Sequence, residues 1–233
     1  MFKTMEKMAF VANPSDPSPF SNAGFKFRIL GVGSDKPSGL HSLKQVHGTD
    51  LVKAQAGITD IVDSALDGDG IYSASEGQVV GVKTADCLPV IVGSRSQTFI
   101  SVVHAGWRGL NAGILKRVVN LAKDYSKEDD LYAFFGPCIG LGAFEVGPEV
   151  FEAFASKDFG LTSEQLAWAS HRGKSDRWHL DLALIGAWEL VNSGCRAENI
   201  TILRSCTYSL PELWYSYRRT GSATPSNWTM AWV

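Results

Sequence analysis

The sequence predicts a mixed α/β fold, in which a β-rich block is followed by a helix and then by further strands and helices. Three runs rich in β-branched residues, 78–84, 88–92 and 98–103, are short and bounded by turn residues, as buried strands tend to be. From Leu110 the apolar residues recur at three- and four-residue steps, which predicts a helix of about four turns. The chain length and this succession of strands and helices favour a single domain that covers residues 1–233.

The other elements are predicted in chain order from turn signals and apolar runs. Residues 13–24 are rich in Pro, Ser and Gly, so we interpret 1–25 as a surface loop or arm. Strands and helices are then expected outside the central block: strands at 26–32, 131–135, 199–203 and 228–233, and helices at 148–155, 163–169 and 182–191.

Composition excludes several classes of protein. The 233 residues are 45% hydrophobic and 20% charged, which is enough for a large core. A net charge of -2 gives no overall attraction to nucleic acid or to an anionic membrane. The sequence shows no apolar stretch of signal-peptide or membrane-span length, so we expect a cytoplasmic protein. Its four cysteines lack CxxC spacing and are predicted to be reduced.

Two histidines and a cysteine stand at turn-prone ends of apolar runs: His47, Cys87 and His104. Their separations of 40 and 17 residues are unlike the tight spacing of a zinc finger. A cysteine with two histidines is an accepted ligand set for a catalytic zinc, which keeps one position open. The same atoms also suit a thiolate activated by an imidazole. Taken singly, each residue is more often part of a core than of a site.

Ionisable side chains cluster around this trio. Lys83 and Asp86 lie near Cys87 in the sequence, and Arg108 lies near His104. Asp86 can fix the tautomer of a ligand imidazole, transfer protons, or cap a turn. Arg108 has the fork geometry that grips phosphate, although a surface salt bridge is its ordinary role. The helix start beyond Arg108 is predicted to help bind an anion such as phosphate.

The three motifs, Gln-Val-His-Gly, Thr-Ala-Asp-Cys-Leu-Pro and His-Ala-Gly-Trp-Arg-Gly, together resemble the laccase-domain family. Its members are also called multicopper polyphenol oxidases or YfiH-like purine nucleoside phosphorylases. Further motifs carry the resemblance, in order along the chain: Gly136-Pro137-Cys138-Ile139-Gly140, Phe144-Glu145-Val146-Gly147, Leu180-Asp181-Leu182, Cys206-Thr207 and Ser216-Tyr217-Arg218-Arg219. The resemblance implies an αββα sandwich like that of the cytotoxic necrotizing factor deamidases, with a metal held by His47, Cys87 and His104.

The resemblance also implies an activity and its partners. The implied reactions are phosphorolysis of adenosine, inosine, guanosine and methylthioadenosine to the base and a pentose 1-phosphate, and deamination of adenosine to inosine. Purine nucleoside and phosphate are then the partners, and we expect a monomer or weak homodimer that binds neither nucleic acid nor membrane. The catalytic residues expected are Cys87, His47, His104, Asp86 and Arg108.

Other functions remain open at this point. Some members of the family are assigned to editing peptidoglycan precursors. A thiol hydrolase with Cys87 as nucleophile and His104 as base would need no metal. A non-catalytic nucleoside-binding protein is a further alternative, because the family's usual N-terminal motif, with its Asn-Arg pair, is not recognisable in 10–40.

The number of histidines favours zinc over copper as the metal. A multicopper oxidase needs about ten imidazoles, because imidazole is the usual copper ligand. This chain has five histidines, so we predict a single metal ion, and zinc suits one thiolate and two imidazoles. In a small departure from the family pattern, Asp67-Gly68-Asp69-Gly70 stands where relatives carry Asp-Ala-Asp-Ala, which keeps both acids but loosens the backbone.

Overall fold

The computed structural model describes residues 2–35, 37–55, 66–94, 98–125, 131–156 and 158–233. The helices are α1 (Phe2–Met5), α2 (Pro19–Asn22), α3 (Trp107–Asn111), α4 (Ile114–Tyr125), α5 (Pro148–Ala155), α6 (Ser163–Trp168), α7 (Leu182–Asn192) and α8 (Tyr217–Thr220), with a 3-10 turn at Ala197–Asn199. The strands are β1 (Ala9–Val11), β2 (Lys26–Leu30), β3 (Leu51–Lys53), β4 (Gly70–Ser73), β5 (Val80–Thr84), β6 (Leu88–Ser94), β7 (Phe99–Ala105), β8 (Leu131–Phe135), β9 (Glu145–Val146), β10 (Ser170–Arg172), β11 (Trp178–Leu180), β12 (Ile200–Leu203) and β13 (Asn227–Trp232).

Two sheets form the centre of the fold. The larger has seven strands in the order β1-β12-β8-β6-β7-β4-β3, and the smaller has the order β2-β13-β5. A further small sheet has the order β10-β11-β9. The predicted mixed α/β fold is therefore confirmed, and outside the N-terminal region the predicted strands and helices are present with slightly different bounds, except for the helix predicted from Leu110. Among the described residues, no helix is long and apolar enough to cross a bilayer.

The large sheet is buried on both faces, which explains its continuous apolar runs. Val90 and Val92 of β6 belong to the core cluster that contains the inward residues of α4 and α7. Ile91, which points to the opposite face, packs in a second cluster with residues of β5 and β13. Because both faces are covered, β6 and β7 are held rigidly at the end of the sheet where Cys87 and His104 lie.

The structure corrects the prediction that 1–25 is a loop or arm. Strand β1 pairs in parallel with β12 at the edge of the large sheet. Helix α2 starts at a capping box between Ser18 and Ser21, and Phe20 within it is fully buried. Pro19 stands at the first turn of α2, where its missing N–H is not needed. The Pro- and Ser-rich composition typical of a loop is thus also that of a helix start.

The predicted four-turn helix after His104 is also corrected, because the structure divides it in two. Helix α3 ends at Asn111, and Gly113 has a φ of 85°, a left-handed conformation that ends a helix. The longer helix, α4, begins only at Ile114. Its apolar stripe is as expected and faces the sheet: Ile114, Leu115, Val118, Val119 and Ala122 are buried.

A buried carboxylate occupies the start of α4. Glu189 of α7 is 6% exposed, and its Oε1 accepts a hydrogen bond from the backbone N–H of Lys116 at 2.9 Å. Its Oε2 has no hydrogen-bond partner among the described residues. Burial raises the pKa of Glu189 to about 8, against the lowering effect of Lys116 and the backbone amides of α4.

We expect Glu189 to make stability fall as pH rises. The pKa of Glu189 is about 8 in the folded chain, whereas the ordinary pKa of a glutamate, taken for the unfolded chain, is 4.5. Between these two pH values the folded chain keeps a proton that the unfolded chain has released. The free energy of unfolding should therefore decrease from about pH 5 to pH 8, by at most about 5 kcal/mol from this group. Glu189→Gln cannot titrate and should lose this dependence.

Urea unfolding of the metal-free chain at both pH values measures the effect. Glu198→Gln is the matched control, because Glu198 is 51% exposed and pairs only loosely with Lys7, at 4.0 Å. Equal pH dependence in the two variants would contradict the assignment to Glu189.

Candidate metal centre

The fold brings His47, Cys87 and His104 together, although they are distant in the sequence. Cys87 directly precedes β6, whose first residue pairs with Ala105 at the end of β7. His104 lies in β7 itself, one residue from that end. His47 lies in the loop before β3. One sulfur and two imidazole nitrogens thus lie within 4.8 Å of one another.

A glutamine ties the His47 loop to the strand that leads to Cys87. The side-chain amide of Gln45 donates to the carbonyl of Lys83 at 2.7 Å and accepts from the N–H of Lys83 at 2.9 Å. The pair of hydrogen bonds is the kind that one strand makes with its neighbour. In the motif Gln-Val-His-Gly, Gln45 therefore positions the loop that contains His47.

The space between the three ligands is kept open by Gly106. A Cβ at this position would lie 3.0 Å from Cδ2 of His47, 3.2 Å from Sγ of Cys87 and 3.7 Å from Cε1 of His104. The absence of a side chain therefore leaves a space that all three side chains face. A sulfur and two nitrogens around such a space fit the zinc ligand set of two histidines and one cysteine.

Asp69 contacts the ring of His104 and the backbone of His47, and it is not among the catalytic residues predicted from the sequence. Its side chain is fully buried, and Oδ1 lies 2.7 Å from Nδ1 of His104. It also accepts from the backbone N–H groups of Val46, His47 and Gly48. Burial raises the pKa of Asp69, but these hydrogen bonds outweigh it and lower the pKa below its ordinary value. The signal in the sequence was the position of Asp69 between two glycines in Asp67-Gly68-Asp69-Gly70.

Hydrogen bonding also changes the pKa of the ligands themselves. Burial raises the pKa of the Cys87 thiol, but hydrogen bonds with His104 and His47 outweigh it and lower that pKa to about 6. Burial lowers the pKa of His104, whereas its hydrogen bonds with Asp69 and Cys87 raise it to about 9. The metal-free chain therefore favours a thiolate beside an imidazolium, and a thiolate is the form that binds metal.

The structure places Asp86 in the wall of the site, where its side chain bonds to two C-terminal residues. Its Oδ1 accepts from the hydroxyl of Thr207, and its Oδ2 accepts from the backbone N–H of Arg218 at 2.6 Å. Among the described hydrogen bonds, none joins Asp86 to an imidazole. Asp69, and not Asp86, is the carboxylate that lies within hydrogen-bond distance of the His104 ring, and Asp86 joins the turn before Cys87 to two C-terminal segments.

Arg108 lies at the rim of the site. It is exposed on α3, and its guanidinium stacks 4.4 Å from the ring of Trp107. The helix that begins directly after β7 is α3, which has five residues, and the first turn of α4 holds the carboxylate of Glu189.

The paired arginines near the C-terminus hold backbone together. Arg218 donates to the carbonyls of Ala143 and Glu145, and Arg219 donates to three carbonyls in the segment from Thr207 to Trp214. These contacts occupy the guanidinium groups of both arginines. The two arginines therefore stabilise the part of the site wall that contains Thr207 and Arg218, the two hydrogen-bond partners of Asp86.

The described residues contain one group of metal-ligating side chains of this kind, although they include all five histidines. His171 and His179 stack on each other with ring centroids 4.6 Å apart, and His41 is buried. All four cysteines are free thiols, as predicted. This part of the chain therefore provides ligands for one ion of the His-Cys-His type.

Several known proteins have sequences related to this chain. Residues 27–233 match the family described as multi-copper polyphenol oxidoreductase laccase. Purine nucleoside phosphorylase YfiH of Shigella flexneri is 40% identical over 192 residues, which are 82% of this chain and 73% of that protein. Adenosine deaminase RL5, from an unknown prokaryotic organism, is 35% identical over 164 residues, which are 70% of this chain and 61% of that protein.

Solved structures agree in fold. A Neisseria meningitidis protein has a TM-score of 0.70 at 31% identity, covering 84% of this chain and 75% of its own. The YfiH protein of Bacillus licheniformis has a TM-score of 0.74 at 24% identity, covering 84% of this chain and 74% of its own. Because the family match extends over 27–233 and includes His47, Cys87 and His104, the chain belongs to the multi-copper polyphenol oxidoreductase laccase family.

Proposed function

We propose that this chain is a zinc-dependent purine nucleoside phosphorylase that also deaminates adenosine. The observation that carries the proposal is the cluster of His47, Cys87 and His104 around the space at Gly106. This ligand set leaves a position for a substrate or water on a catalytic zinc. Relatives named purine nucleoside phosphorylase and adenosine deaminase support the reaction class. Adenosine, inosine, guanosine and methylthioadenosine are the proposed nucleosides, with the chain acting in the cytoplasm.

Two reactions share the site in this proposal. In phosphorolysis, a phosphate oxygen bonds to C1′ of the ribose while the bond from C1′ to the base breaks, and the base leaves with a proton. In deamination, water adds at C6 of adenosine and ammonia leaves, which produces inosine. Zinc, when bound, supplies the Lewis acidity that both reactions use.

The side chains of this protein have separate tasks. His47, Cys87 and His104 hold the metal, and Arg108 binds phosphate through its guanidinium fork at the rim. Asp86 keeps the turn before Cys87 in place through its two bonded oxygens. The catalytic contribution of Asp86 is therefore proposed to be positional.

The test is turnover of adenosine with and without phosphate, followed by chromatography of the products. Adenine and ribose 1-phosphate should form only when phosphate is present, whereas inosine should form in either case. Metal analysis of the same sample, purified without added metal, should find zinc. A zinc-loaded chain that produces neither adenine nor inosine would contradict the proposal.

One observation favours a thiol hydrolase as a second candidate. Cys87, His104 and Asp69 form a hydrogen-bonded series, with Asp69 2.7 Å from the far nitrogen of His104. This order of thiol, imidazole and carboxylate is that of an activated nucleophile, which needs no metal. Chelation separates the candidates, because the proposed zinc enzyme should lose its turnover of adenosine and a thiol hydrolase would keep a Cys87-dependent activity.

A further inference from the structure

Asp69 is the point at which the two histidine ligands are connected. Asp69 directly precedes β4, opposite His104 of β7, and its side chain has no exposed surface. Four N–H donors converge on it: Nδ1 of His104 and the backbone amides of Val46, His47 and Gly48. Each carboxylate oxygen accepts two of these bonds, so the hydrogen-bonding capacity of the group is well used.

The bond to His104 determines which nitrogen of the ring is available. A carboxylate only accepts hydrogen bonds, so Nδ1 of His104 must carry the proton. Nε2 is then the nitrogen left to donate its lone pair to a metal. The backbone N–H of His104 also donates to the carbonyl of Asp69 at 2.7 Å, which fixes the strand beneath the ring.

The bonds to the loop determine where the other imidazole lies. His47 has a φ of 61°, in the left-handed region that residues other than glycine seldom adopt. Three successive amides, from Val46 to Gly48, point at the Asp69 carboxylate at 2.6–3.2 Å. This charge-assisted set compensates for the unfavourable backbone conformation.

We infer that Asp69 is a positioning residue that sets both imidazoles for metal binding, one through its ring and the other through its backbone. The inference rests on the metal site of the proposed function. Asp67, the other acid of the same motif, has no such role, since its side chain is 60% exposed and pairs with Lys44 at 3.2 Å on the surface. The two acids therefore differ in function although they are two residues apart.

Asparagine cannot reproduce this arrangement. Its amide has one accepting oxygen, and its NH₂ group would face N–H donors on the other side. If the NH₂ faced His104, the ring would have to accept at Nδ1 and carry its proton on Nε2, where it opposes metal binding. If the NH₂ faced the loop, the amides of Val46 and Gly48 would lose their acceptor.

The test compares zinc affinity in Asp69→Asn and Asp67→Asn by competition with a chromophoric chelator. Asp69→Asn should bind zinc about 10- to 100-fold more weakly, whereas Asp67→Asn should stay within about twofold of the unchanged chain. Ring nitrogen NMR of the unchanged, zinc-loaded chain is the second measurement, and it needs no variant to fold. It should show the His104 proton on Nδ1.

The possible outcomes distinguish the role of Asp69 from the proposed nucleoside activity. Unchanged zinc affinity in Asp69→Asn, or a His104 proton on Nε2 in the unchanged chain, would overturn the role of Asp69 and leave the proposed activity standing. A chain that binds zinc with this Asp69 dependence but does not turn over nucleosides would contradict the proposed activity alone. An unchanged chain that binds no zinc would overturn both.

Discussion

Cys87→Ala should remove the bound zinc and both nucleoside activities together. Cys87 supplies the only sulfur of the described ligand group, and hydrogen bonds with two imidazoles lower the pKa of its thiol to about 6, so it is ready to bind metal as a thiolate. Loss of one strong ligand should weaken zinc binding by about 100- to 1,000-fold, since a complete four-ligand site is worth about 10–16 kcal/mol. Zinc content and adenosine turnover are measured on the same sample.

A second cysteine provides the control for this substitution. Cys195 is also a free thiol, but it is buried beside the carbonyl of Leu131, at the opposite end of β8 from the metal-site wall. Cys195→Ala should keep its zinc and its turnover. If Cys87→Ala turned over adenosine at the normal rate, chemistry centred on this metal would be wrong. If it lost activity but kept a full equivalent of zinc, Cys87 would act as a nucleophile.

Gly106→Ala should prevent metal binding without unfolding the chain. The added methyl group would lie 3.0 Å from the His47 ring and 3.2 Å from the Cys87 sulfur, inside the space that the three ligands face. Zinc needs its ligands at about 2.0–2.3 Å around it, so a methyl group in the same space competes directly with the ion. We expect zinc affinity to fall by at least about 100-fold, with turnover falling in parallel.

Backbone strain does not explain this expected loss. Gly106 has φ -66° and ψ 161°, an extended conformation that alanine adopts readily. The free energy of unfolding of the metal-free variant should therefore stay close to that of the unchanged chain. Gly142→Ala is the matched control, because a Cβ at Gly142 has no neighbour within 4 Å. Normal zinc binding by Gly106→Ala would show that the open space at this residue is not the metal position.

The parts of the fold that the sequence predicted are those whose burial is regular. Strands such as β6 and β8 are continuous apolar runs because both faces of the large sheet are covered, and such runs are visible without a structure. The stripe of α4 is visible for the same reason. The short strands β3, β4 and β9 were missed, since a few residues carry no clear period and their pairing depends on distant partners.

The predictions of secondary structure were wrong where the local sequence pattern is compatible with two different structures. Residues near Pro19 have loop composition, yet a buried phenylalanine and a serine cap make them a helix. Gly113 lies in an apolar pattern that continues across it, yet its positive φ divides the predicted helix. In both places a tertiary contact or a backbone conformation outweighs the local pattern.

The sequence by itself determined the fold class, the family and the three metal-ligand candidates, because its short motifs contain the residue types that the chemistry needs. Only the tertiary structure decided which carboxylate supports them. Asp86 stands next to Cys87 in the chain, but its oxygens bind Thr207 and Arg218. Asp69, remote from His104 in sequence, lies opposite it because β4 and β7 pair. Hydrogen bonds depend on distance in space, which sheet pairing sets and sequence separation does not show.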